Sequence, residues 1–295
     1  MPTVSTLLPE LSGRNLTVDI ALKQPSILRA RIAQLADSQL LAPQFYHPLG
    51  GPVQGGAILY NVLKASDLYT TDVEKRAPGA EYKVVEGVDP ETQMATVNDW
   101  GGKFPVTAEQ IKRNVVSYLD QQTTQLANTI TRKLDAAAMA AVEAAIDSAN
   151  TVTGHSWESL VFVGALDSIT ASGDRPTADF SAAQLASDLQ ELGVKHDLLV
   201  LHPNQAHRLR TAYGDQLQAM LDSAGLSLFV NPRVTAGAGY VQEKGGVGTV
   251  GFEEPLTVQA WEEKGTRSWV VQGFAVPAFA VERPYAMKKI TGLAG

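Results

Sequence analysis

The chain has 295 residues, enough for one large domain or two ordinary ones, and 44% of them are apolar. No stretch approaches the roughly 20 apolar residues of a membrane-spanning helix, and the first ten residues lack the basic leader and apolar core of a signal peptide. The absence of cysteine excludes disulfides, thiolate nucleophiles and cysteine-bound metals, and the net charge of −7 argues against a broad grip on nucleic acid.

Residues 1–56 are predicted to form an arm rather than a domain. Prolines at positions 2, 9, 25, 43, 48 and 52 interrupt any long regular element. One short helix fits between Ser26 and Leu41, and the proline- and glycine-rich composition of residues 42–56 excludes that stretch from core secondary structure. An extended arm with a few apolar anchors is typical of contact with a neighbouring chain.

The next segment is predicted to contain a buried strand and a long polar hairpin. The strand spans residues 57–65, and the hairpin pairs Glu81–Glu86 with Met94–Trp100 across a turn at 87–91. Because an isolated two-stranded ribbon is marginally stable, we expect this one to lie on another subunit.

A single long helix is predicted from Thr107 to Asp147. Thr107 and Gln110 have the spacing of a capping box, and neither proline nor glycine interrupts the apolar stripe that follows. At 1.5 Å per residue, such a helix is roughly 60 Å long. A coiled coil is disfavoured because the polar middle, residues 120–125, holds no heptad.

The remainder reads as a compact mixed domain followed by closing strands. The predicted elements are a strand at Val161–Val163, a helix at Thr177–Leu192 with Phe180, Leu185 and Leu189 inward, a buried strand at Asp197–Leu201, a helix capped by Asn204 and reaching Tyr213, and a hairpin of Leu256–Trp261 with Arg267–Phe274.

The motifs that suggest chemistry favour structural interpretations. The glycine-rich run 244–251 resembles a phosphate-binding loop, but no Lys-Ser/Thr pair opens a helix after it, so a β-turn region is predicted. His202 and His207 lie five apart across a proline and match no zinc-binding helical pair, and His207 is expected to pack against or cap its helix. His155 and His196 are predicted to be surface residues.

Other catalytic patterns are also missing. Neither Ser172-Gly173 nor the sequence at 223–225 provides the Gly-x-Ser-x-Gly turn of a serine hydrolase. Adjacent carboxylates at 253–254 and 262–263 point to opposite faces of a strand and are predicted to be solvated. Three aromatic residues of the closing hairpin are expected to pack across its strands rather than line a cleft: Trp261, Trp269 and Phe274. The sequence therefore predicts no catalytic, cofactor-binding or metal-binding residues.

Basic residues near the arm are the best candidates for contacting nucleic acid or a partner protein: Arg14, Lys23, Arg29 and Arg31. They are few and unclustered, so intersubunit salt bridges or solvated side chains are the favoured interpretation.

The order of these elements, with their local sequences, resembles the major capsid proteins of tailed bacteriophages, whose shell fold encapsulin compartments share. Residues 73–82 resemble the rising side of the extended loop in that family, Asp99–Thr107 its return into the spine helix, and Leu201–His207 a strand-turn-helix of the axial domain. The resemblance covers about the last four-fifths of the chain.

This resemblance implies an α+β fold with five parts. They are an N-terminal arm (1–56), a strand and extended β-hairpin loop (57–105), a peripheral domain with the spine helix (106–154), an axial domain (155–251), and closing strands of the peripheral domain with a return to the axial domain (252–295).

The implied function is self-assembly, as hexamers and pentamers, into an icosahedral shell around double-stranded DNA. The implied partners are portal protein, a decoration protein, and packaged DNA by non-specific contact, with no membrane. About fifty residues precede the first core strand, too few for a scaffolding segment, so either a separate scaffold exists or the segment has been removed; Met1 favours the separate scaffold. The protein is expected in the virion after assembly in the bacterial cytoplasm.

Some relatives join subunits by lysine–asparagine isopeptide bonds. Lys75 and Lys83 are the candidate donors in the loop, but the last asparagine is Asn231, before the closing strands where the acceptor lies in relatives. We therefore predict no such cross-link.

Two alternatives remain at this stage. An encapsulin-like nanocompartment would use the same fold to enclose a cargo enzyme. An α/β enzyme would instead form an isolable monomer or small oligomer with a ligand pocket, but no catalytic constellation supports it.

Overall fold

The computed structural model of the chain describes residues 18–37, 40–64, 67, 69–165 and 167–294. The helices are α1 (Val18–Lys23), α2 (Pro25–Asp37), α3 (Ala42–Phe45), α4 (Ala108–Lys112), α5 (Val116–Ala145), α6 (Pro176–Asp188), α7 (Pro203–Tyr213) and α8 (Leu217–Ser223). The strands are β1 (Tyr46–Pro52), β2 (Ala57–Val62), β3 (Glu91–Thr96), β4 (Trp100–Thr107), β5 (Thr151–Thr153), β6 (Leu198–Leu201), β7 (Ser227–Val230), β8 (Gly239–Gln242), β9 (Gly248–Glu263), β10 (Ser268–Ala280) and β11 (Met287–Thr291). This mixture of helices and strands agrees with the predicted α+β class.

One half of the molecule is a four-stranded sheet covered by helices. Its strand order is β1-β9-β10-β4, and the predicted closing hairpin forms its centre. β9 is longer than predicted at both ends, and β10 is longer at its C-terminal end. Apolar residues of α1, α2 and the first half of α5 pack against the sheet, with Leu119, Val258 and Val271 in the shared core.

The other half is a five-stranded sheet, ordered β5-β11-β8-β6-β7. All four residues of β6 are buried, as predicted for that strand. One face holds a core with α6, α7 and α8 around Trp157 and Leu199, while the other face packs against the last turns of α5.

The predicted long helix is interrupted once. Thr107 and Gln110 form the predicted capping box, but Asn114 adopts a left-handed φ of 50° and separates α4 from α5. Asparagine adopts this conformation more readily than most residues, and here Asn114 Oδ1 accepts a 3.0 Å hydrogen bond from the Val18 amide, which is distant in sequence. The uninterrupted part, α5, has 30 residues.

The predicted hairpin is wrong in its pairing. Glu81–Glu86 forms no strand, and β3 pairs with β2 instead, with Leu59 opposite Met94. Trp100 belongs to β4, which pairs with β10. β2 buries Ile58 and Val62 but exposes Leu59 and Asn61, because only one face of the β2–β3 ribbon packs against the rest of the subunit.

Residues 42–56 contribute to the core, although their proline- and glycine-rich composition predicts that they would not. Phe45 and Tyr46 are almost fully buried, and β1 adds a parallel strand to β9. The positive φ angles of Gly50, Gly55 and Gly56 allow the chain to turn around this edge strand. The helix predicted between Ser26 and Leu41 corresponds to α2, which spans Pro25–Asp37.

Three predictions in the mixed domain are wrong. Val161–Val163 is a loop, while the strand of this region is β5. Phe180 is buried as predicted, but Leu185 and Leu189 face solvent on α6, because the helix buries the opposite face, which carries Ala183 and Ser187. His202, rather than Asn204, caps α7 by accepting a hydrogen bond from the Asn204 amide.

Candidate assembly surfaces

The most prominent surface is the extended loop, which we define as residues 69–90. It has no regular secondary structure, and every residue from 69 to 89 is exposed. Its shape is held by its own polar contacts: a 2.7 Å salt bridge from Lys83 to Glu74, and the Arg76 guanidinium 4.5 Å from the centroid of the Tyr82 ring. The loop is thus an extension with almost no contacts to the body.

The extended loop carries more apolar surface than a solvated loop needs. Val73, Tyr82 and Val84 are 73%, 76% and 84% exposed. Several large exposed apolar side chains in one segment are typical of a site that another surface covers.

The outer face of the β2–β3 ribbon also exposes apolar side chains. Leu59 and Met94 are directly opposite each other in the register and are both largely exposed, at 73% and 60%. The other face of the ribbon packs Ile58 and Ala95 against the end of β10. Within one subunit, only one of the two faces of the ribbon is therefore covered.

A groove of about 470 Å³ lies between the ribbon and the last turns of α5. The helix lines it with Ala137, Ala141 and Ala144, whose small side chains let another backbone approach closely. Lys64 and Glu91 at its rim form a 3.3 Å salt bridge.

Leu185 of α6 and Leu189, the residue that follows this helix, are 56% and 75% exposed. The turn after α6 also meets the base of the extended loop, because the Tyr69 hydroxyl donates a 3.1 Å hydrogen bond to the Gln190 carbonyl.

Three buried polar clusters lie beneath these surfaces. In the first, Asp135 of α5 accepts a 2.8 Å hydrogen bond from the Leu41 amide, and burial raises the pKa of its carboxyl. The second connects α5 to the five-stranded sheet: Glu143 accepts hydrogen bonds from Tyr240 and, at 2.5 Å, from Lys289. Burial raises the pKa of Glu143, but these bonds outweigh it and the net shift is downward.

The third cluster surrounds Lys288, which is fully buried. Its ammonium donates to Asn150 Oδ1 at 2.6 Å and to Gln190 Oε1 at 3.0 Å, and burial lowers its pKa to about 8. His196 lies nearby and is also buried, contrary to the predicted surface position; burial lowers its pKa to about 4.

The histidines considered in the sequence do not lie together in one site. His207 is exposed on α7, and His155 is held by Asp179 at 2.7 Å, a carboxylate that also accepts from the Trp157 indole at 2.8 Å. Hydrogen bonding to Asp179 raises the pKa of His155. Within the described ranges, no group of three or more His, Asp or Glu side chains forms a candidate metal site.

The glycine-rich run 244–251 forms a turn and the start of β9, as its interpretation as a β-turn region predicts. The carboxylates of Glu253 and Glu254 are exposed. The aromatic trio does not pair directly: Trp261 is opposite Val270, and Trp269 is opposite Glu262.

The basic residues of the arm are mostly paired with carboxylates. Lys23 lies 2.7 Å from Asp19, and Arg31 lies 3.5 Å from Asp120. Arg29 is exposed, and Arg14 lies outside the described residues. No helix in the described part of the chain is both long and apolar enough to cross a membrane.

Solved structures with the same fold are shell particles and phages. The virus-like particle from Pyrococcus furiosus superposes with a TM-score of 0.62 at 12% identity, over 89% of this chain and 97% of that one. Microbacterium phage Oxtober96 gives 0.62 at 13% identity (86% and 91%), and the capsid of Myoviridae phage XM1 gives 0.52 at 12% (85% and 90%). No curated protein sequence matches the chain.

The chain therefore has the fold of subunits in these shell particles and phage capsids. The profile of the phage capsid protein family matches residues 90–290, more than half of the chain, so the chain belongs to that family. It is a major capsid protein that assembles with copies of itself into the shell of a tailed-phage virion.

Proposed function

We propose that the subunit forms hexamers and pentamers that close an icosahedral shell around double-stranded DNA, and that it carries out no catalysis. The observation that carries this proposal is the extended loop: more than twenty consecutive exposed residues with large apolar side chains and nearly no partner in their own subunit. Such a loop is stabilised when a neighbouring subunit covers it, so the folded state and the assembled state reinforce each other.

The predicted domain division supports a role for each half. The four-stranded half with α5 corresponds to the proposed peripheral domain, and the five-stranded half to the proposed axial domain near the capsomer centre. The axial half would then include β5, which pairs with β11 at residues 151–153, just before its predicted start at 155. Residues 1–56 would act as an arm only in part, since α1, α2 and β1 pack on their own subunit.

Several partners belong to the same proposal. A separate scaffolding protein would guide closure, a portal protein would replace one pentamer, and a decoration protein would bind the outside. DNA would be contained without being gripped, which the net charge of −7 favours. Assembly would take place in the host cytoplasm.

The encapsulin-like alternative is less favoured. The virus-like particle shares the fold, but at 12% identity that likeness concerns fold alone. The family match to residues 90–290 is to phage capsid proteins.

The test is electron microscopy and sedimentation of the protein expressed alone and with its scaffold. We expect closed shells tens of nanometres across, or pentamers and hexamers that close when scaffold is added. A variant with residues 72–89 replaced by Gly-Gly should fold, as judged by circular dichroism, and should fail to close. A stable monomer or dimer of the unaltered chain under every condition would overturn the proposal.

A further inference from the structure

Lys288 of β11 is fully buried beside two neutral side chains. Among the described residues, its two hydrogen-bond partners are carboxamide oxygens, Asn150 Oδ1 at 2.6 Å and Gln190 Oε1 at 3.0 Å. A buried ammonium is destabilising unless a carboxylate pairs with it. A reaction that converts this ammonium into a neutral amide would remove the buried charge.

The five-stranded sheet brings the amine of Lys288 to the side chain of Asn150. β11 and β5 run parallel with Lys289 paired to Thr151, so the residues before them, Lys288 and Asn150, are neighbours across the pair. Because a C=O bond is about 1.2 Å long, the lysine Nζ lies at most about 3.8 Å from Asn150 Cγ. A short shift of Nζ toward the face of the carboxamide is enough for the two atoms to react.

Asp147 fixes the orientation of this carboxamide. Its Oδ1 accepts hydrogen bonds from the Asn150 backbone amide at 3.0 Å and from Asn150 Nδ2 at 2.8 Å. The nitrogen of the carboxamide therefore faces a carboxylate, while its oxygen faces the amine of Lys288. A carboxylate that contacts a leaving nitrogen can carry a proton to it, which is the role of a general acid–base group.

The surroundings make Lys288 a better nucleophile than an exposed lysine. Burial lowers its pKa to about 8, so about a tenth of these amines are neutral at pH 7. Val241, directly opposite Lys288 on β8, is buried, and so is the nearby His196. Water, the competing nucleophile, therefore has little access to the reacting atoms.

Gln190 offers a second carboxamide, but it is less suited to the reaction. It lies farther from the amine than Asn150 does and is partly exposed, whereas Asn150 is 4% exposed. Asn150 is also the one whose carboxamide nitrogen contacts a carboxylate.

We propose that Lys288 and Asn150 form an isopeptide bond within one chain. The neutral Nζ bonds to Cγ of Asn150, the Cγ–Nδ2 bond breaks, and Asp147 transfers a proton from Nζ to Nδ2, which leaves as ammonia. The proton that the lysine ammonium first gives up ends on this ammonia, so no oxidant or other reactant is consumed. The structure shows the reactants, and Lys288 titrates as a free amine until the bond forms.

The bond would join the segment directly after α5 to the last strand, across 138 positions of sequence. It would keep this long loop closed in the unfolded chain, which stabilises the folded state. It forms once per chain and links no two subunits, so it adds no turnover to the proposed function and does not depend on assembly.

Intact-mass spectrometry of the purified full chain tests the proposal, because release of ammonia lowers the mass by about 17 Da. We expect this loss in most chains after incubation at a pH above the pKa of Lys288, and a branched peptide that contains both Lys288 and Asn150 after proteolysis. An unchanged mass would overturn the proposal. A loss of mass without the branched peptide would also overturn it, since asparagine can lose ammonia by cyclising on its own backbone.

Variants assign the reacting groups. N150A and K288M each lack a reactant and should keep their full mass, whereas Q190A, the matched control, should still lose ammonia. D147N should react at least about tenfold more slowly, because a carboxamide cannot carry the proton. Circular dichroism checks the fold of each variant, and the unaltered chain decides the main question whether or not a variant folds.

Two outcomes with the variants would contradict the assignment. A loss of ammonia that persists in N150A and stops in Q190A would overturn the choice of Asn150. Equal rates in D147N and the parent would overturn the role of Asp147. Neither result, nor an unchanged mass, bears on whether the subunits form shells, so the proposed function is tested separately.

Discussion

Replacing Glu143 with alanine should test how α5 is fastened to the five-stranded sheet. The carboxylate accepts hydrogen bonds from the Tyr240 hydroxyl, from Thr235 Oγ1 at 3.1 Å and from Lys289 Nζ at 2.5 Å. Truncation leaves the hydroxyl of a fully buried tyrosine and a mostly buried ammonium without their acceptor. Orphaned buried groups cost about 1–3 kcal/mol each, and because the carboxylate is 30% exposed we expect a total loss of about 2–3 kcal/mol.

Denaturant unfolding of the unassembled subunit measures this loss as a lower midpoint at constant slope. The pKa of Glu143 is lower in the folded protein than its ordinary 4.5, so its contribution is present above that pH and is lost as pH falls through the folded pKa. E143A should therefore lose part of the acid sensitivity of the parent. E158A, which removes an exposed 3.5 Å salt bridge to Arg208, is the matched control and should leave the midpoint unchanged. Equal midpoints for the two variants would refute the role given to Glu143.

Two further outcomes follow from burial and charge, and a third follows from the position of the last asparagine, Asn231. The pKa of Lys288 is about 8 when folded and 10.5 otherwise, so the folded state binds fewer protons between these values and stability should rise with pH across that window; K288M should lack the rise in denaturant titrations at pH 7.5 and 10. L199A should cost the unassembled subunit about 2–5 kcal/mol because Leu199 is fully buried, whereas L189A, at an exposed position, should leave its unfolding midpoint unchanged; similar losses in both would contradict the assigned burial. Mature shells boiled in detergent should release subunits at the monomer mass, and a ladder of covalent oligomers would show that Lys75 or Lys83 does form a cross-link.

Local sequence patterns correctly predicted the elements whose stabilising contacts lie close in sequence. The capping box at Thr107, the buried strand β6 and the closing hairpin depend on residues close in sequence or on continuous apolar runs, and the structure has all three. The break at Asn114 escaped prediction because it depends on a hydrogen bond to Val18, 96 residues away. An asparagine before a β-branched pair was the only local signal.

The wrong predictions concern segments whose packing depends on residues that are distant in sequence or belong to other subunits. Residues 81–86 have the propensity of a strand without a partner in the subunit, and Leu185 has the spacing of a core residue on a helix that buries its other face. Propensity and spacing report what a segment can bury, whereas tertiary context decides where. In an assembling protein, part of that context lies on other chains, so the candidate assembly surfaces are the places where sequence and single-subunit structure disagree.

Helix α5 belongs to both cores: its first turns pack in the four-stranded half and its last turns against the five-stranded half. Its 30 residues make it a rod about 45 Å long. Pivoting such a rod by about 10° about one end moves the other end by about 8 Å, more than one helical turn. A lever of this length converts a small tilt in one half into a displacement of several ångströms in the other, without any change inside either core.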